Sequence, residues 1–300
     1  MAQSGHMAES DRMVPDRFTL LEDLPGIYAG RFSVEMDLRQ ELAAVDQYAE
    51  VNLVPFMSAA EHVLAMEPLL KHDDISMLMH ACFIGRPDVV KILLIEGQSL
   101  EHHDSEGMTA LMIAAEQGNW ACVRVLMQAG AIISAVSNDG RTALHYGASG
   151  TPNGFKAKVI DELLNAGADI NAVSDMGNTA LHESCQDHLH TVSMLLIRRN
   201  ADINAVDHFD CTPLHLATGV NEEEGAAITS EGDAAITAIL VACGADVTQR
   251  DFWDRTPLYH AEGPRHTLAL YTLLEFAPQL QEPFYDDLSD AVSEQRSPRD

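Results

Sequence analysis

The sequence predicts an all-α solenoid of stacked helix–turn–helix units joined by hairpin-like turns. Three observations predict it. A short string led by Ser or Thr recurs six times, a glycine-centred string recurs in step with it, and the commonest spacing between copies is 33 residues. Self-similarity at a period of 20–50 residues marks a repeat architecture, in which each unit buries its apolar face only by stacking on its neighbours.

The first string appears as Thr109-Ala110-Leu111-Met112, Thr142-Ala143-Leu144-His145, Thr179-Ala180-Leu181-His182, Thr212-Pro213-Leu214-His215 and Thr256-Pro257-Leu258-Tyr259, with Ser76-Met77-Leu78-Met79 as a degenerate first copy. The intervals are 33, 33, 37, 33 and 44, so the excesses of four and eleven are insertions into one underlying period. The second string is Ala166-Gly167-Ala168-Asp169-Ile170-Asn171, Asn200-Ala201-Asp202-Ile203-Asn204 and Cys243-Gly244-Ala245-Asp246-Val247, with weaker copies at Glu96-Gly97 and Ala129-Gly130-Ala131. In unbroken units its glycine position falls 21 residues after the Ser/Thr, as from Thr109 to Gly130 and from Thr179 to Asn200.

Each marker has a mechanical reason. A Thr ahead of a helix caps an orphan backbone N–H. Pro213 and Pro257 sit at the first helical position, where no N–H is needed. The Leu of each string faces the core. The second helix of a unit ends in apolar pairs such as Leu93-Leu94, Leu163-Leu164 and Leu195-Leu196. The glycine that follows takes the left-handed position just past the helix, and Asn200 is the next best residue there. Turns such as Ser137-Asn138-Asp139-Gly140 and Ser174-Asp175-Met176-Gly177 then lead into the next unit.

The flanks lack this register. Residues 1–30 are expected to be a flexible leader, opening on a stretch that reads as a cloning remnant with a second Met at position 7. Residues 31–72 are expected to form a helical N-terminal cap, with Val34, Leu38, Leu42 and Val45 on one face and a capping box from Ser58 to Glu61. Residues 73–278 hold the six units. Pro278 stops the last helix, and residues 279–300 form a polar, acidic tail.

These residues resemble the ankyrin repeat family. Thr212-Pro213-Leu214-His215-Leu216-Ala217 matches the Thr-Pro-Leu-His-x-Ala string of that family at every position, and the resemblance covers over two thirds of the chain. It implies that His145, His182 and His215 are structural, tying Thr and neighbouring backbone together. It also implies a non-enzymatic protein–protein interaction module, acting as an adaptor, an inhibitor or a scaffold. Binding would run through the turn tips and the concave face made by the first helices.

Composition sets limits on partners. The formal net charge is −28, and the acidity is not confined to the tail. Such a chain repels nucleic acid phosphates and anionic membranes, and favours a protein with a basic region. The acidity also fits a second reading, solubility alone or a salt-rich habitat, because only four of the 18 basic residues are lysines. No apolar run reaches the length of a membrane span and no secretory signal opens the chain. Five scattered cysteines, Cys82, Cys122, Cys185, Cys211 and Cys243, contain no CxxC pair and read as reduced, buried residues. A cytoplasmic or nuclear monomer is expected.

No nucleophile elbow, phosphate loop or HExxH string is present, and neither cofactor nor metal is expected. His102-His103-Asp104 lies in an inter-unit turn, where adjacent residues chelate one ion poorly. His188 and His190 read as part of the turn between two helices. The alternative to a binding module is an enzyme or effector with chemistry in the N-terminal segment or the concave groove.

The variable positions name the candidate surface. The tip pairs are Ser105-Glu106, Asn138-Asp139, Asp175-Met176, His208-Phe209 and Phe252-Trp253, grading from acidic to aromatic along the stack. Partner-binding roles are therefore expected for Asp139, Asp175, Met176, His208, Phe209, Phe252 and Trp253, joined by Glu183 and Asp187 on a first helix. Exposed aromatics are enriched at interfaces. The alternative is that Phe209 and Trp253 fold back onto the adjacent turn. The insertions, Thr151-Pro152-Asn153-Gly154 and residues 219–233 with Glu222-Glu223-Glu224, fall between the two helices of a unit, on the edge away from the tips. They are either binding loops or tolerated solvated ones.

Overall fold

The computed structural model describes residues 75–151, 155–219 and 230–261, together with positions 269, 272 and 273. The expected leader, the expected cap over 31–72, the acidic tail and most of both insertions lie outside the described residues.

Five complete helix pairs and the first helix of a sixth unit follow one another. They are α1 (Met77–Phe83) with α2 (Pro87–Ile95), α3 (Ala110–Glu116) with α4 (Trp120–Gln128), α5 (Ala143–Gly147) with α6 (Lys156–Asn165), α7 (Ala180–Gln186) with α8 (His190–Arg198), and α9 (Pro213–Ala217) with α10 (Ser230–Ala242). The sixth unit opens with α11 (Pro257–Ala261). The first helices α1, α3, α5, α7, α9 and α11 each pack on the next in one row, and the second helices α2, α4, α6, α8 and α10 do so in another. The result is a two-layer, all-α stack with its core between the rows. Among the described residues no helix is long and apolar enough to cross a membrane.

The core falls where the repeat predicts. Leu78, Leu111, Leu144, Leu181, Leu214 and Leu258 are all buried, as are the second-helix residues Leu93, Leu126, Leu163, Leu196 and Leu240. Leu273, in the expected second helix of the sixth unit, is buried too.

The expected caps form. Ser76, Thr109, Thr142, Thr179 and Thr212 are the N-caps of the first helices. In the third, fourth and fifth units a histidine completes each cap. Nδ1 of His145, His182 and His215 accepts the backbone N–H of Thr142, Thr179 and Thr212, each at 3.1 Å. An accepting Nδ1 leaves the proton on Nε2, which therefore donates. Its acceptors are the carbonyls of Asn178, Cys211 and Arg255, at 2.9, 3.1 and 3.3 Å. Each acceptor immediately precedes the capping Thr of the following unit, so every ring is a hydrogen-bonded staple between neighbours.

The first two units are built differently. Met79 and Met112 hold the histidine position, and their Sδ atoms accept the N–H of Ser76 and Thr109 at 3.5 and 3.4 Å. A thioether has no hydrogen to pass on, so these two units lack the forward staple.

The rings titrate accordingly. Burial pushes His145, His182 and His215 below the ordinary imidazole value, and takes His215 down to about 4. The unfolded chain binds these protons near pH 6.5, while the folded chain refuses them. The stability that the neutral rings contribute is therefore complete above about pH 6.5 and is lost as pH falls toward the folded value. Thermal melts should move down between about pH 7.5 and about pH 5.5, and a His215→Asn variant should show a shallower dependence on pH. An equal slope in parent and variant would mean that this ring does not set it.

Candidate functional site

The turn tips are built on a backbone ladder. Asn138, Asp175, His208 and Phe252 donate their N–H to the carbonyls of Glu106, Asp139, Met176 and Phe209, at 2.8 to 3.0 Å. Each tip is thus hydrogen-bonded to the one before it. Within a tip the chain turns back on itself, as in Ser137 to Arg141 and Ser174 to Asn178. Gly140 shows why glycine recurs here. Its φ is +74°, and a Cβ would meet the Asp175 backbone nitrogen at 2.7 Å. The fifth and sixth units use another residue in the same left-handed conformation, Asp210 at φ 56° and Asp254 at φ 62°. Asp tolerates that region better than most side chains.

Side-chain carboxylates fix the last two tips. Asp207 Oδ1 accepts the N–H groups of Phe209 and Cys211, at 2.8 and 2.9 Å. Asp251 Oδ1 accepts those of Trp253 and Arg255, at 2.9 and 2.8 Å. Asp251 is buried, and its other oxygen takes Arg255 Nε at 2.9 Å and His260 Nε2 at 3.0 Å. Burial would raise this carboxyl, but the hydrogen bonds from Arg255, His260 and Trp253 outweigh it and hold it below the usual carboxylate range.

An aromatic shelf sits on this framework. Phe209 and Trp253 stack at 5.6 Å with 15° between their planes, and Phe252 meets Trp253 edge-on. The Arg255 guanidinium lies 4.6 Å from the Trp253 ring and 5.9 Å from that of Tyr259. Phe209 and Trp253 do pack on each other, yet they remain 40% and 53% exposed, with Phe252 at 69%. The shelf is ordered and open at once. Sequence reasoning named its three tip aromatics but missed Arg255 and Tyr259, which join it only through the turn from tip to helix.

The acidic candidates separate into two groups. Asp139, Asp175 and Met176 are exposed at the tips, as is His208. Hydrogen bonding from Ser137 and the nearby Arg141 charge outweigh desolvation at Asp139 and lower its pKa, so it stays ionised. Glu183, on α7, and Asp187, its C-cap, are half-buried and already partnered. Glu183 pairs with Arg141 at 2.9 Å, and the same guanidinium lies over the Tyr146 ring. Burial pushes the Glu183 carboxyl up in spite of that arginine. Asp187 accepts the Gly150 N–H in a short hydrogen bond. These two residues therefore join the third unit to the fourth, and contribute less free charge than the tip aspartates.

Lys156, at the start of α6, is buried beside them. Its ammonium donates to the carbonyls of Glu116, at 2.9 Å, and of Ser149. Glu116 ends α3, where the helix dipole favours a cation, and Ser149 lies just past the C-cap of α5. Burial still lowers the lysine pKa, against the pull of Glu116 and Asp187.

Charge is sorted between the two rows. Tips and first helices, over residues 98–117, 131–150, 168–187, 201–219 and 245–261, carry fifteen carboxylates against three arginines. The second-helix segments, over 85–97, 118–130, 155–167, 188–200 and 230–244, carry six against seven basic residues. The acidity that the described units share thus lies on one side of the stack. Among the described residues no group of three or more His, Cys, Asp or Glu converges as a metal site would require.

Known proteins bear on this architecture. A family model described as ankyrin repeats, in three copies, matches residues 78–172 and 150–228. The crystal structure of the ankyrin repeat domain of Bcl-3, described as a unique member of the IkappaB protein family, is similar at 26% sequence identity. Its TM-score is 0.52, over 71% of this chain and 90% of that one. The transient receptor potential cation channel subfamily A member 1 of Drosophila melanogaster is 33% identical over 66 residues, which are 22% of this chain and 6% of that protein. The chain therefore spans only a small part of that channel's length. Since that family model covers half of the chain, over the helix pairs described above, this chain belongs to the ankyrin repeat family, whose members are protein–protein interaction modules.

Proposed function

We propose that this module binds, as a monomer, a protein that presents a basic region beside an apolar anchor. The basic region lies along the tips and first helices, and the anchor seats on the Phe209–Phe252–Trp253 shelf. The observation that carries this reading is the segregation of charge: fifteen carboxylates against three arginines on the tip side, and near balance on the other. Such a one-sided field steers a basic partner onto the acidic side before contact is made. The module would serve as an adaptor, inhibitor or scaffold. Five cysteines free of disulfides support a reducing compartment, the cytoplasm or the nucleus.

The test begins with partners captured on the full chain and identified by mass spectrometry, and continues with surface plasmon resonance at two salt concentrations. Replacing Asp139 and Asp175 together with Asn should slow association several-fold and flatten its salt dependence, with little change in dissociation. Association rates that ignore both salt and the double replacement would overturn the electrostatic reading.

A further inference from the structure

Val136, Val173 and Val206 hold one position of the repeat, six residues before the capping Thr142, Thr179 and Thr212. All three are exposed, at 54%, 59% and 45%. Arg250 holds that position in the sixth unit. Its Nη1 donates to the Asp254 carbonyl at 2.7 Å and pairs with the Asp254 carboxylate at 3.2 Å, so the position borders the tip. The valines therefore extend the aromatic shelf backwards along the tip row. Val206 belongs to the tip that carries Phe209, Val173 to the one that carries Met176, itself 49% exposed, and Val136 to the one that carries Asp139. A single exposed valine is ordinary, but an apolar row continued over four consecutive tips marks an interaction surface.

The spacing of the row selects what can lie on it. Each connection runs out to its tip and back, and consecutive tips are hydrogen-bonded through the ladder. Successive valines thus stand two chain spacings apart, about 9.6 Å, in agreement with a helix-to-helix distance of about 8–10 Å in the rows behind. An α-helix laid along the row covers that step in about seven residues, and its side chains then return to the same face within about 20°. An extended strand covers it in about three residues, which turns alternate side chains away. The ladder also directs tip N–H and carbonyl groups along the row, from each tip to the next. A partner whose backbone satisfies itself, as a helix does, loses least there. The four tips span three steps, about 29 Å, the length of a helix of about 20 residues.

We propose that the partner segment which binds this module is an amphipathic α-helix laid along the tips of the third to sixth units, with an apolar side chain at every seventh position. The proposal rests on the tip side being the binding side, and adds the conformation and register of the partner. The apolar side chains meet Val136, Val173 and Val206 in turn, and a larger one at the end of the stripe seats on Trp253. Lysines or arginines beside the stripe face Asp139 and Asp175, which are exposed on the first two of these tips. Such a helix is held by its apolar face and steered by its basic flank, so each half of the surface has a matching half on the partner.

Fluorescence anisotropy with the full chain tests this, using synthetic labelled peptides of about 22 residues and equal net charge. The first carries leucine at every seventh position, flanked by lysines on an alanine background. The second has the same residues with the leucines out of register. The third places the same number of leucines at every third position among prolines, the period of a polyproline helix. The first peptide should bind about tenfold tighter than either of the others. A triple variant, Val136→Thr, Val173→Thr and Val206→Thr, should lose that preference and keep the parent's melting temperature, since all three side chains are exposed. Equal affinity for the three peptides, no binding of the first, or a preference that survives in the triple variant overturns the proposal. The broader reading fails separately. A captured partner that ignores the triple variant, yet weakens with Trp253→Ala and with the Asp139 and Asp175 replacements, removes the helix and leaves the acidic and aromatic surface standing.

Discussion

Leu181→Ala should destabilise the chain by about 2–5 kcal/mol, the range for a core leucine whose cavity does not collapse. Leu181 is fully buried on α7, in the middle of the first-helix row. Its unit is tied on both sides, through His145 to Asn178 and through His182 to Cys211. In a solenoid, stability is the sum of unit terms and nearest-neighbour terms. Loss at Leu181 therefore weakens the third and fifth units as well as the fourth. Hydrogen exchange should show faster opening across α5, α7 and α9, accompanied by a lower melting temperature. Unchanged protection at α5 and α9 would contradict the nearest-neighbour coupling.

Trp253→Ala should weaken binding of the partner by about 2 kcal/mol or more, roughly 30-fold in Kd, mainly through faster dissociation. The ring is the centre of the shelf, stacked on Phe209 on one side and close to Arg255 on the other. Its removal takes away the anchor and also frees two neighbours that it holds in place. Phe252→Ala provides a gentler probe, because that side chain is 69% exposed and its loss barely touches the fold. Both variants should keep the parent's helical content. A folded Trp253→Ala that binds like the parent, together with an inert Phe252→Ala, would remove the anchor from the model of binding.

The repeat itself was legible because its determinants are local. Thr179 and His182 lie three residues apart and meet within one helical turn, so a string of four letters encodes cap and staple together. The exposed tip pairs were legible for the same reason, since they stand at fixed offsets from each capping Thr. What escaped depends on partners that the sequence does not place side by side. Arg141 and Glu183 are 42 residues apart, and their pairing removes from the acidic surface a charge that the sequence alone assigns to it. Lys156 stands at a helix start beside an insertion, where nothing in the pattern signals a buried cation. It becomes intelligible only when the C-terminal ends of α3 and α5 converge on its ammonium. The network of Asp251, Arg255 and His260 combines a tip with the helix behind it, in a unit whose string ends in Tyr259 rather than His.

The staples also give the stack a mechanical polarity. From the third unit to the fifth, each unit grips the next through a histidine N–H···O bond as well as through its core, whereas the first holds the second by packing and the Asn119 side chain, and the second holds the third by packing and the tip ladder. Pulled from its two ends, the described stack would behave as a spring that is compliant at one end and stiff at the other. It would pay out from the methionine end, one period at a time. Each 33-residue period would release up to about 110 Å of slack before the histidine-bonded units felt the full load.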